Sequence, residues 1–151
     1  MAAGVGMRRQ IEALRANRPD AHGRGDANGW TDHIEGACGE AAAAKALNVY
    51  WSGSQGTFKT GGDVYTYQIR TRSDHTYDLI VRNDDADDAV FILVRGRVPH
   101  FDVVGWILAY DAKNPQWSQT YGGRPAAYFV PASALHPLET LRMHVNVKET
   151  E

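Results

Sequence analysis

Apolar positions along this chain change period twice, and the changes divide it. From Met7 to Asn17, Ile11 and Leu14 stand three apart among charged residues, which predicts a short amphipathic helix with Arg8, Arg9 and Arg15 on its polar side and Pro19 as its stop. Asp20 to Gly29 is rich in Gly, Asp, Asn and His and reads as a loop. A second helix follows Trp30 to Asp32, with Thr31 or Asp32 as N-cap and Glu35 completing a capping-box-like arrangement. It runs to Leu47, places Ala37, Ala41, Ala44 and Leu47 on one face with Glu40 beside them, and ends at Asn48.

Beyond this helix the period shortens. Trp51 to Gly62 is a polar connection with four glycines and a short strand expected at Thr57 to Lys59. Val64 to Thr71 and Tyr77 to Arg82 read as strands, rich in β-branched and aromatic residues. Ala89 to Arg95 (AVFILVR) is apolar without alternation, which implies burial on both faces. Phe101 to Tyr110 is a further strand, and Pro99–His100 between the two makes a hairpin. Asp111 to Arg124 reads as a loop, Ala126 to Val130 as a last strand, and Pro131 opens a short helix before a charged tail. Helices first and strands after predict an α/β (α+β) domain with a central mixed, largely antiparallel sheet flanked by helices.

With 151 residues the chain suits one domain: an N-terminal helix and loop (1–29), a core (30–135) and a tail (136–151). Its formal net charge of -2 supplies no global basic field, so any nucleic-acid contact must be local. One cysteine, Cys38, excludes an intrachain disulfide and reads as a small buried helix residue. No apolar run has membrane length and the first residues lack a signal-peptide core, so no membrane partner and a cytoplasmic location are expected. The acidic turn Asn83 to Asp88 (NDDADD) lacks the glycine and terminal glutamate of an EF-hand and reads as solvated. His33, His75 and Lys45 read as surface or turn residues, Trp106 as core, and Trp117 and Tyr121 as loop aromatics covering its edge.

Chemistry concentrates between Gly36 and Arg72. GACGEAAAAKAL puts one acid, Glu40, on a helix of small residues, where burial is costly unless the carboxylate is paired or bound to a cation. GGDVYTYQIRTR then carries Asp63 at a strand entrance, with Gln68 and Arg70 on one face of the strand. These two motifs, with the YDLIVR and VVGWI strands after them, resemble the PD-(D/E)XK (restriction-endonuclease-like) nuclease superfamily, in particular its small phage-type or uncharacterised members, over Trp30 to Val130. The resemblance implies a Mg2+ (or Mn2+) site for DNA phosphodiester hydrolysis. It makes Glu40 the helix acid and Asp63 the central acid, puts Gln68 at the Glu/Gln position and Arg70 at the lysine position, and adds the Ile69 carbonyl as a ligand. Arg70 would then hold phosphate oxygens; Arg72, a strand-end arginine that ordinarily faces water, is a further candidate phosphate contact.

Three features depart from that pattern. Arginine stays protonated, so Arg70 cannot serve as a base. Gln68 is neutral and lowers the negative charge of the site. Asp63 and Gln68 are five apart, which on one regular strand puts them on opposite faces. Either a turn re-aims Asp63 or Asp78 is the second acid. The same fold without catalysis, serving as a DNA-binding or assembly module, is the alternative that Gln68 and Arg70 favour. A structural or partner-binding protein with no nucleic-acid role is the alternative that the net charge favours.

Overall fold

In the computed structural model, residues 1–15, 26–51, 53 and 63–141 are described. The strand expected at Thr57 to Lys59, the stretch 16–25 and the tail after 141 lie outside them. Helix α1 spans Ala2–Arg15 and α2 spans Asp26–Leu47. Six strands follow: β1 (Gln68–Arg72), β2 (Leu79–Arg82), β3 (Val90–Arg97), β4 (His100–Leu108), β5 (Ser118–Gln119) and β6 (Ala127–Val130). A short helix α3 (Ala109–Ala112) continues β4, and 3-10 turns occupy Pro115–Trp117 and Ala132–Ala134. The fold class is α+β, as the order of helical and strand patterns predicts.

The strands form two three-stranded sheets rather than one. In the first, β3 is central, with β1 parallel on one side and β4 antiparallel on the other. In the second, β6 lies between β2 and β5, all antiparallel. The unbroken apolar run of β3 has its explanation here. Val90, Ile92 and Val94 pack with Ala43, Ala44 and Leu47 of α2, while Phe91 and Leu93 pack with Leu79, Val81 and Val130 of the second sheet. The first sheet is thus covered by helices on one face and by the second sheet on the other.

Both helices begin earlier than their sequences predict. Gly4 and Gly6 are weak helix formers, yet Gly6 is where α1 crosses α2, and a Cβ there would collide with the backbone of His33 and Ile34. Close packing outweighs propensity in this case. The buried face of α1 carries Val5, Gly6, Arg9 and Gln10, whereas Ile11, the apparent apolar anchor, is exposed. Arg9 therefore turns inward and is not part of a solvated basic side. Residues Thr31, Asp32 and Glu35 lie inside α2 and not at its start, so they do not cap it. A second close approach joins α2 to β1, where a Cβ on Gly39 would overlap the Thr71 side chain. The expected loop at 111–124 contains the end of α3, a 3-10 turn and β5.

Candidate functional site

Glu40 projects from the buried face of α2, and its side chain is only 8% exposed. The charge is met from α1. Arg9 donates from Nη1 to Oε1 at 2.6 Å and from Nη2 to Oε2 at 2.8 Å, a bidentate pair, and Trp51 Nε1 donates to Oε2 at 3.2 Å. The Glu40 hydrogen bond raises the Arg9 pKa against the opposing effect of burial, so the guanidinium stays charged.

Asp63 reaches the same region by a tight reversal. Tyr67 N–H donates to Val64 C=O at 2.9 Å and Asp63 N–H donates to Tyr67 C=O at 2.8 Å, so Val64 and Tyr67 form an antiparallel bridge across Tyr65 and Thr66. Tyr65 takes a positive φ of 55°, which a bulky residue seldom adopts. The reversal carries the Asp63 carboxylate back beside β1, where Oδ2 accepts the Ile69 N–H at 2.7 Å. The odd spacing from Asp63 to Gln68 therefore does not separate the acid from the strand, because the two do not share one regular strand. β1 begins at Gln68 and not at Val64.

Burial raises the Asp63 pKa, and the negative charge of Glu40 adds to the rise. The Ile69 hydrogen bond, Arg70 and Arg9 oppose it. The field at Asp63 thus combines one neighbouring acid, Glu40, with two guanidinium groups, Arg70 and Arg9. The carboxylate whose charge acts on Asp63 is Glu40.

Gln68, Arg70 and Arg72 take the other face of β1, since Ile69 packs toward α2. Gln68 is half-buried there. Arg70 is held by its own partners: Nη2 lies 3.3 Å from Asp85 Oδ1, and the guanidinium sits 4.7 Å from the Phe91 ring centroid. Arg72 stacks over Tyr77 at 4.8 Å, with Arg95 beside it in register across β3 and bonded through Nε to the Tyr77 carbonyl at 2.7 Å. The sequence-derived site is therefore divided. Asp63 is bonded to the Ile69 amide and feels the charge of Glu40, while Arg70 lies against Asp85 and Phe91 and Arg72 against Tyr77.

Three functional partners were not legible from motifs. Arg9 lies in a stretch that reads as a solvated arginine cluster, Trp51 in a loop, and Asp85 in the acidic turn. That turn holds a cation of its own: Lys113 Nζ donates to Asn83 O at 3.1 Å, Asp85 O at 2.5 Å and Asp87 Oδ1 at 2.6 Å. Cys38 is half-buried, and burial pushes its thiol pKa up, the opposite of an activated thiolate. Trp106 is core, with Nε1 donating to Pro137 O and Thr140 Oγ1.

No cluster of three or more His, Cys, Asp or Glu side chains suited to a metal ion occurs among the described residues. Glu40 and Asp63 are the carboxylates that would hold a Mg2+ ion here, since it takes one or two carboxylates from a protein and retains waters and substrate oxygens for its other positions. No protein-family model, curated protein or solved structure matches this chain. Among the described residues, no helix is long and apolar enough to cross a membrane.

Proposed function

We propose that this chain hydrolyses DNA phosphodiester bonds with a divalent cation, Mg2+ or Mn2+, held by Glu40, Asp63 and the Ile69 carbonyl. The observation that carries this reading is the Val64–Tyr67 reversal, which brings the Asp63 carboxylate onto the Ile69 amide within electrostatic reach of Glu40. In an extended strand the N–H and C=O of one residue leave on the same side, so the Ile69 carbonyl faces the same edge as Asp63. The cation would supply activation of water and neutralisation of phosphate charge. Gln68 lies on the other face of β1 and adjoins this set only through the backbone. DNA would approach the open edge of β1, where the positive charge must be local given the net charge of -2.

A supercoiled plasmid incubated with Mg2+ or Mn2+ tests the reading. Nicking that needs the metal and falls by about 100-fold or more in Asp63→Asn is expected, in line with removal of a group that organises the transition state. Metal-independent DNA binding without cleavage would overturn it. That outcome defines the second reading, a non-catalytic DNA-binding or assembly module, which the engagement of both Glu40 oxygens by Arg9 favours. Cleavage of RNA alone would change the polymer and leave the chemistry in place.

A further inference from the structure

We propose that Tyr65 is a base-stacking residue: its ring, displayed at the tip of the reversal that carries Asp63, takes the face of an unpaired nucleobase, and single-stranded nucleic acid is a ligand of this surface. The inference rests on the nucleic-acid half of the reading above and needs no metal ion.

The backbone at Tyr65 runs against its residue type. Val64 and Tyr67 bridge across a loop of two residues, Tyr65 and Thr66, and of these Tyr65 alone has a positive φ, 55°. A two-residue hairpin loop with a positive φ only at its first position ordinarily puts glycine there. A tyrosine in that place stores strain, and strain of this kind collects at ligand-contacting positions.

Packing does not account for the ring. Tyr65 is 55% exposed, and it meets the ring of Tyr67 with centroids 5.6 Å apart and planes at 60°. Tyr67 is itself buried in the cluster with Leu47 and Ile69. It therefore fixes one side of Tyr65 while much of that ring stays in water. A ring held in place and open to solvent is a stacking platform.

The surroundings select the occupant. Asp63, Thr66 and Gln68, the chain neighbours that are not buried, are all polar, so no apolar patch of the kind a protein partner covers extends from Tyr65 along the chain. One flat ring suffices for a nucleobase, because every base has a π-face. In a duplex those faces are covered by the neighbouring pairs, which is why the base must be unpaired. Charge permits the phosphate to approach: Arg70 and Arg9 act on Asp63, two positions before Tyr65, and oppose the negative charge of Glu40.

Anisotropy of a labelled oligothymidylate of about 12 nucleotides, measured in EDTA, tests the inference. Tyr65→Gly suits the backbone and removes the ring, whereas Tyr65→Ala removes the ring and keeps the strain. Both should bind about tenfold more weakly than wild type, although Tyr65→Gly should melt at a higher temperature than Tyr65→Ala. Tyr65→Phe should bind as wild type does. Stacking carries no charge, so the salt slope should be the same in every variant. Irradiation of a strand carrying iodouracil should attach it to the peptide that contains Tyr65. Binding that follows melting temperature across the variants, equal binding by wild type and Tyr65→Gly, loss of binding in Tyr65→Phe, or attachment elsewhere would overturn the inference. A dimer that Tyr65→Gly dissolves, with no binding of the strand, would also overturn it and make a second copy of this chain the occupant. The metal-site reading fails separately. Strand binding through Tyr65 without metal-dependent nicking leaves this inference standing, and nicking of a plasmid without strand binding overturns this inference alone.

Discussion

Glu40 and Arg9 form a partly buried ion pair, and such pairs are more costly to break than to replace. Glu40→Ala leaves the Arg9 guanidinium without its main partner and should lower stability by about 3 kcal/mol in a denaturant titration. Adding Arg9→Met to that variant should recover part of the loss, because the orphaned charge is gone. Additive losses in the double variant would contradict the pairing. Asp63 supplies a pH test. Its pKa is raised above the ordinary 3.8, so the folded state holds the proton more tightly than the unfolded state does. Stability contributed by this group therefore falls as pH rises from 3.8 through the folded value. Asp63→Asn, whose amide oxygen still accepts the Ile69 N–H, should gain stability relative to wild type near neutral pH. That gain should shrink as pH drops through the same window, and a pH-independent difference would contradict the burial argument. Glu40 was legible as a residue worth asking about, because a lone acid on a helix of alanines needs a partner. Arg9 was not: Ile11 and Leu14 suggested a buried face that leaves Arg9 in water, whereas Gly6 sets the helix orientation.

Among the elements, α2 and β1 are fitted at Gly39, and α1 and α2 at Gly6. The two glycines should respond differently to alanine. Gly39→Ala overlaps the Thr71 side chain, so it should cost about 1–3 kcal/mol and be largely rescued by Thr71→Ala. Gly6→Ala meets backbone of His33 and Ile34, so trimming the Ile34 side chain should not rescue it. Thermal denaturation of the two glycine variants and the two double variants separates the cases, and equal rescue at both sites would contradict the close-approach geometry. The existence of β1 to β4 and β6 followed from composition, that of β5 did not, and the burial of β3 on both faces followed from its unbroken apolar run. Strand starts did not follow, since Val64, Tyr65 and Tyr67 have β propensity but are used in a reversal. That reversal is the feature on which the acid at Asp63 depends. Helix starts were equally obscured, because glycines that weaken an isolated helix permit close packing between two.

For the whole molecule, the division of strands into two sheets decides what the site can be. β1 is an edge strand of the first sheet, with Asp63 on the Ile69 amide and α2 across its helix-side face. Pairing of strands is a long-range property, and neither the two-sheet arrangement nor the parallel β1–β3 pair can be read from local periodicity. The order of motifs nevertheless placed Glu40 and Asp63 in one chain segment, and the fold brings them into one electrostatic unit. Arg70 lies against Asp85 and Phe91, and Arg72 against Tyr77. The central claim is that Glu40 and Asp63 together hold a divalent cation. A crystal of the wild-type protein soaked in millimolar Mn2+ and measured for anomalous scattering tests it most directly. The account predicts one peak bounded by the Glu40 and Asp63 carboxylates and the Ile69 carbonyl. An absent peak, with Arg9 still bidentate on Glu40, would contradict it.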